Sequence, residues 1–430
     1  MKLVPEKLAG LSPERRNSIL HRSMEDISDV YEYVRGILNE IRQKGDAPSL
    51  DWHGELKPGL TADDFRVQPE EIKAAYEEVS ADIVEALKKA AKNIRTFHAA
   101  QLERPMWQME VAPGIWAGRK HTPLDAVGCY VPGMRAIYPS TALMTVLPAQ
   151  VAGVRRVVVT TPPDKGMIAN SYTLVACDIA GVSEIYKLGG PWAVGSLAYG
   201  TPTVPRVDKI VGPGNKYVTA AKMLVFGTVD IDSPAGPSEA LLLADSTANP
   251  RWLALDFMSQ VEHDPVSAAV LVTDDAGLAQ AVCDEIAAIY PGLPRRDILD
   301  QAGAYCAVLV AKDMAEAVDF TNEYAAEHLQ IMTKDPYLTL QEIRHAGSIF
   351  MGPWAPVPVG DYASGTNHVL PTGQGARAFS GLSVDDFIKK PTFQYLSREG
   401  LASLADTVDT LATAEGLPIH AMTVKARLQD

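Results

Sequence analysis

At 430 residues the chain is longer than one ordinary hydrophobic core fills, so two or more domains are expected. Its 47% apolar content is that of a globular enzyme, and a formal net charge of −14 argues against nucleic acid or an anionic membrane as the main partner. No apolar run approaches the roughly 20 residues of a spanning helix. The opening Met1-Lys2-Leu3-Val4-Pro5-Glu6 lacks the apolar stretch of a signal peptide. Four scattered cysteines, Cys129, Cys177, Cys283 and Cys306, form no CxxC pair, so buried thiols in a reducing cytoplasm are expected.

In chain order, the first hundred residues read as helices. Residues 26–42 carry apolar side chains at helical spacing, and 70–101 repeat the pattern after a turn at 57–61. From about Asp125 short apolar runs alternate with helical segments. Strands are expected at 127–131, 156–161, 184–188 and 209–211, with helices at 141–152, 168–179, 193–198 and 215–225. A second alternation places strands at 240–243, 268–272, 307–310, 328–332 and 348–351, and helices at 250–261, 277–289, 314–324 and 338–345. The fold class is therefore α/β, with two doubly wound, Rossmann-like parallel sheets. Residues 1–124 plus 239–381 are expected to form one α/β domain bearing the N-terminal helices. Residues 125–238 form the second, and 382–430 a small helical tail.

Polar knots in the C-terminal half carry the chemistry. Gln260 and His263 lie three apart on an expected helix, which puts them on one face. Such a pair serves as metal ligands or as an ordinary helix surface. Glu327-His328 opens a strand and is either a general-base pair or a buried histidine beside a carboxylate. Gly360 to His368 is a loop stapled by side-chain-to-backbone bonds, able to present Asp361 and His368 rigidly. Glu415 to His420 matters only if the tail docks at an active site. Imidazole, carboxylate and amide oxygen are ligands that a catalytic Zn²⁺ accepts. Gly212-Pro213-Gly214-Asn215 follows a strand and opens a helix whose amides can meet a pyrophosphate. The full GxGxxG fingerprint is absent. Gly373 to Ala378 matches its GxGxxA variant without a preceding strand, and neither GxxxxGK[ST] nor HExxH occurs.

These residues give the chain a family resemblance. Val127 to Gly133, Tyr138 to Thr141, Val207 to Asn215, Pro234 to Glu239, Gln260 to His263, Ala326 to Leu329, Gly360 to Thr372 and Ser380 to Phe387 resemble, in order and spacing, the histidinol dehydrogenases. The resemblance covers nearly the whole chain. It implies oxidation of L-histidinol to L-histidine through a held aldehyde, with two NAD⁺ and one Zn²⁺, by a cytoplasmic homodimer with a shared active site. It implies Gln260, His263, Asp361 and His420 as metal ligands, the last from the other protomer. It implies Glu327 and His328 as the acid–base pair, with Ser238, His368 and Glu415 joining them and the metal ligands around the substrate. Tyr130, Asn215 and the residue at 192 match the NAD positions.

Departures from the family pattern fall on the cofactor side. Met134 stands where Pro-Gly-Gly is usual, and Trp192 stands where a glutamine contacts NAD. An indole N–H cannot replace an amide that both donates and accepts. Stacking of Trp192 on the cofactor is the expected compensation. Pro48 breaks a helical Gly-Asp-x-Ala-Leu pattern and is tolerated only in a first turn. Two alternatives remain: a same-fold dehydrogenase for another small polar alcohol of the sulfopropanediol type, and a zinc-binding paralogue with impaired NAD use.

Overall fold

The structure is a computed structural model, and it describes every residue except 23–26, 134–136, 235 and 430. The expected helix at 26–42 begins inside an undescribed stretch, and Met134 lies outside the described residues. The chain divides into two compact units. One comprises Met1–Gln101 and Asp125–Asp386, the other Leu102–Leu124 and Phe387–Asp430.

The larger unit holds two all-parallel sheets. In the first, six strands run in the order Pro5–Lys7, Ala307–Val310, Ala268–Thr273, Glu239–Ala244, His328–Met332 and Ser348–Met351. Strands buried on both faces must be apolar on both, which is why these segments are continuous apolar runs. Along Glu239–Ala244 the alternation is explicit. Leu242 and Ala244 join a core with Phe257 and Met258, whereas Leu241 and Leu243 face a second core with Phe320 and Tyr324. The crossover helices are sharply started. Asn249, Asp275 and Asp313 each cap the helix that follows with a side-chain oxygen, a contact worth about 0.5–2 kcal/mol apiece.

The second sheet orders Ile185–Lys187, Arg156–Thr161, Ala126–Tyr130, Lys209–Val211 and Asp230–Ile231. The chain winds one way from Ala126–Tyr130 and then the other, so the topological switch lies between that strand and Lys209–Val211. Tyr130 and Gly212 end up side by side at its carboxyl edge. The N-terminal helix Tyr31–Lys44 packs on this sheet's helices through Val34 and Leu38. Pro48 sits in the first turn of Ala47–His53, where its missing N–H costs nothing.

The smaller unit carries the expected C-terminal helices and adds an antiparallel sheet. Thr392–Leu396 is a strand that pairs antiparallel with Ile115–Lys120, which in turn pairs with Met106–Ala112. Helices Arg398–Ala414 and Pro418–Gln429 follow. Among described residues, no helix is long and apolar enough to cross a membrane.

Candidate active site

The polar residues gather at the amino-terminal edge of the six-stranded sheet, opposite the edge where open α/β sheets ordinarily bind ligands. Register does this. Ala240 pairs with His328, and His328 with Ser348. Ser238-Glu239 and Glu327-His328 are thereby brought abreast from two adjacent strand starts.

Their hydrogen bonds form one chain. Gln260 is fully buried and donates its amide N–H to Ser238 Oγ (2.8 Å). Ser238 donates to Glu327 Oε2 (2.8 Å), which also accepts the backbone N–H of Glu239 (2.8 Å). Gln260 therefore keeps its amide oxygen for another partner. His328 donates Nδ1–H to the Glu239 carbonyl (3.0 Å) and lies 3.4 Å from Glu327 Oε2. This fixes Nδ1 as a donor and leaves Nε2 as the nitrogen that can exchange a proton with a substrate. That nitrogen is buried, has no hydrogen-bond partner, and stands 3.6 Å from Asp361 Oδ1.

Asp361 comes from the short helix Val357–Tyr362, and His368 follows in the stapled loop. His368 Nδ1 meets the Asp361 carbonyl (2.8 Å) and Nε2 meets Thr141 Oγ1 (3.2 Å). The latter contact ties the loop to the helix Pro139–Ala152 that leaves the second sheet. Asn367 anchors the same loop by donating to the Met144 carbonyl (2.7 Å).

Electrostatics separate the groups. Burial pushes the His328 imidazole down, but Glu327 and Asp361 outweigh it and raise it well above its ordinary value. Burial also pushes Asp361 up, yet His328, with His368 and His263, holds it below the carboxylate range. For His368, burial wins over Asp361 and the ring is held below its ordinary value.

His263 is not on a helix. The helix Pro250–Val261 ends two residues earlier, and Asp264-Pro265 turns the chain away. The three-residue relation to Gln260 survives as a turn closed by His263 N–H to the Gln260 carbonyl (3.4 Å). His263 lines a cavity of about 470 Å³ together with Glu262, Tyr138, Arg295 and Tyr362. No group of three or more His, Cys, Asp or Glu among the described residues is arranged to hold a metal ion. His263, Asp361 and the Gln260 amide oxygen would offer an imidazole, a carboxylate and an amide oxygen from the larger unit, one short of a tetrahedral set. The chemistry of these donor types fits zinc with a further ligand supplied from elsewhere.

Glu415 and His420 belong to the smaller unit. Both are exposed at the corner between its two helices, where Gly416 turns the chain at φ 73°.

At the carboxyl edge of the second sheet, the Tyr130 hydroxyl accepts the Gly190 N–H (3.2 Å) and keeps its own proton to donate. Asn215 caps Lys216–Val225 by accepting from Tyr217 and Val218, leaving its amide N–H₂ exposed. Gly212 runs at φ +119°, and a Cβ there would lie 2.1 Å from the Tyr130 carbonyl oxygen. This cradle and its two donors fit a nucleotide. Trp192 is placed otherwise than expected. It is 7% exposed, packs on Ile37 and Ile41, and stacks on Trp52 with ring centroids 4.1 Å apart. Its face is used by the protein and not offered to a cofactor. The GxGxxA look-alike at 373–378 is a loop closing in a single 3-10 turn.

Sequence reasoning passed over Thr141 and Glu239 as site residues. Glu239 carried a legible signal: a charge heading a strand that is otherwise apolar throughout.

The comparisons agree along the whole chain. A family profile described as histidinol dehydrogenase matches residues 20–428. The histidinol dehydrogenase of Methanothermobacter thermautotrophicus is 48% identical over 425 residues, covering 99% of each chain. That of Methanocaldococcus jannaschii is 46% identical over 427 residues, again covering 99% of each. The crystal structure of histidinol dehydrogenase from Elizabethkingia anophelis superposes with a TM-score of 0.93 at 37% identity, covering 97% of this chain and 96% of that one. With relatives this similar over this length, and with the same fold, the chain belongs to the histidinol dehydrogenase family.

Proposed function

We propose that the protein oxidises L-histidinol to L-histidine in histidine biosynthesis, in two NAD-dependent steps at a zinc site. The observation that carries this reading is the chain Gln260–Ser238–Glu327 laid against His328, whose Nε2 is buried and unpartnered. His328 receives the hydroxyl proton of the alcohol at Nε2, its ring held by the Glu239 carbonyl. Asp361 lies 3.6 Å from that nitrogen, so a cation held by Asp361 would weaken its hold on a His328 proton. Glu327, fixed by two donors on Oε2, orients and deprotonates the water that adds to the aldehyde. Ser238 and His368 grip the substrate, with Glu415 of a second copy.

Gln260, His263, Asp361 and a partner's His420 would hold Zn²⁺, which supplies Lewis-acid polarisation and orients the substrate's imidazole and amine. Tyr130 and Asn215 would hold NAD, which accepts the hydride of each oxidation. The indole of Trp192, committed to Trp52, braces the helix Gly190–Tyr199 behind that site.

The shared site of a homodimer is supported by Glu415 and His420 being exposed beside Leu417, Ile419 and Met422, also exposed. Four buried free thiols agree with a reducing cytoplasm. The reading is tested by incubating zinc-loaded protein and NAD⁺ with L-histidinol and, separately, with sulfopropanediol, and identifying products by mass. Histidine from the first alone is expected. Oxidation of the second alone assigns the protein to the same-fold alternative.

A further inference from the structure

Behind the Glu327–His328 pair lies a buried charge cluster. Glu239 contacts the pair three times. Its backbone N–H holds Glu327 Oε2 (2.8 Å), its carbonyl holds His328 Nδ1 (3.0 Å), and its Oε1 accepts the backbone N–H of Glu327 (3.2 Å). The other carboxylate oxygen, Oε2, is paired with Arg22 Nε at 2.6 Å, and both side chains are almost wholly buried, at 2% and 3% exposure.

Arg22 Nε meets Glu239 as an ion pair, and both terminal nitrogens of the guanidinium are hydrogen-bonded. One terminal nitrogen donates to the Tyr324 carbonyl (2.6 Å), the other to the Leu20 carbonyl (3.0 Å), and Cζ lies 3.5 Å from the centre of the Tyr324 ring. Tyr324 ends the helix Met314–Tyr324, and Ala325, at φ +50°, turns the chain from it into Glu327. One side chain thus grips both arms that meet at the pair, the strand start at Glu239 and the helix end at Tyr324. Arg22 itself runs at φ 50°, a conformation an arginine keeps only where its surroundings over-determine it.

We propose that Arg22 is a positioning residue for the oxidation, setting the Glu327–His328 pair through Glu239 and Tyr324. The roles of Glu327 and His328 in this inference rest on the function proposed above. Burial pushes the Glu239 carboxyl up to about 7, with Arg22 opposing and Glu327 adding to the rise. Removing the guanidinium therefore leaves Glu239 either neutral or displaced, and both loosen its grip on Glu327. Lysine cannot substitute, because a point charge cannot hold two carbonyls and pair with the Glu239 carboxylate at once as the planar fork does.

The test compares wild type, Arg22→Ala and Arg22→Lys for kcat, KM for L-histidinol, zinc content and amide exchange. A misplaced pair costs rate more than binding. We expect kcat to fall about 100-fold or more in Arg22→Ala, with KM within about threefold and zinc retained. Low-millimolar guanidinium should restore kcat at least about tenfold by refilling the cavity. If Arg22→Ala does not fold, Arg22→Lys decides, and the same kcat loss is expected there. Amide exchange at Glu239 and Glu327 should quicken about tenfold or more in either variant, a readout independent of the substrate. An inactive wild type would overturn the proposed function, and unchanged exchange in the variants would overturn the positioning role. Full kcat in folded Arg22→Lys would also overturn it, as would kcat loss in Arg22→Ala that guanidinium leaves untouched.

Discussion

Gly212→Ala tests the geometry of the second sheet's switch point. The added Cβ lies 2.1 Å from the Tyr130 carbonyl oxygen, 3.1 Å from its carbon and 3.3 Å from its nitrogen. All three atoms are backbone of a central strand, so no side chain can swing aside. The turn cannot retreat freely either. Gly212 N–H is held by Asp232 Oδ2 (2.6 Å) and its carbonyl by Lys222 Nζ (2.9 Å), and Lys222 and Asp232 are themselves a buried ion pair. Strain at positive φ contributes about 1–3 kcal/mol, and overpacking about 1–3 kcal/mol more. A total of about 2–6 kcal/mol corresponds, at about 2–4 °C per kcal/mol for a unit of a few hundred residues, to a Tm lowered by at least about 4 °C. Differential scanning calorimetry reads the stability, and titration calorimetry reads the loss of NAD affinity expected when Tyr130 and Asn215 move apart. A variant whose Tm stays within about 1 °C of wild type, with NAD affinity intact, would refute the reasoning.

His328→Asn should cut the alcohol oxidation by about 10²–10⁴-fold, whereas Glu327→Gln should spare that step and slow oxidation of the supplied aldehyde. Equal losses in both half-reactions for each variant would remove the division of roles. His420→Asn should lose zinc on dialysis, and mixing it with Asp361→Asn should recover activity through heterodimers carrying one intact site. Full zinc in the single variant, or no recovery on mixing, would count against the shared ligand set. His53 and His98 are buried and held below their ordinary value by burial, although a backbone carbonyl partially opposes it. The unfolded chain therefore binds more protons below about pH 6.5, so stability falls as pH drops through that value, by at most about 1.4 kcal/mol per pH unit for each ring. Denaturant titrations from pH 7.5 to 5 check this, and a His98→Gln variant should show a shallower decline.

The parallel strands were legible because burial on both faces writes them as apolar runs. Residues 328–332 are a strand as read, and 268–272 extends by one residue. The antiparallel strands Met106–Ala112 and Ile115–Lys120 were not legible. The first is exposed along nearly its whole length, so no buried face imposes an alternation, and Thr392–Leu396 pairs from far along the chain. The knots themselves could be read as polar clusters. What local sequence cannot carry is the register that sets Ser238 and Glu239 beside Glu327, since it depends on strand neighbours about 90 residues apart. His263 was read as helical because its spacing to Gln260 outweighed the stop signal Asp264-Pro265, although the helix ends at Val261. Trp192 shows the limit from another side. The sequence revealed the lost amide, but its stacking partner Trp52 lies 140 positions earlier, and only the packing of Ala47–His53 against the second sheet's helices brings the two together.

The central claim is a four-electron oxidation of histidinol by this chain. It is tested most directly by counting NADH formed per L-histidinol consumed, by absorbance, with verified zinc and excess NAD⁺. The account predicts two NADH per substrate with histidine as the product. No NADH from fully zinc-loaded protein would contradict it, and one NADH with free aldehyde accumulating would contradict the role given to Glu327.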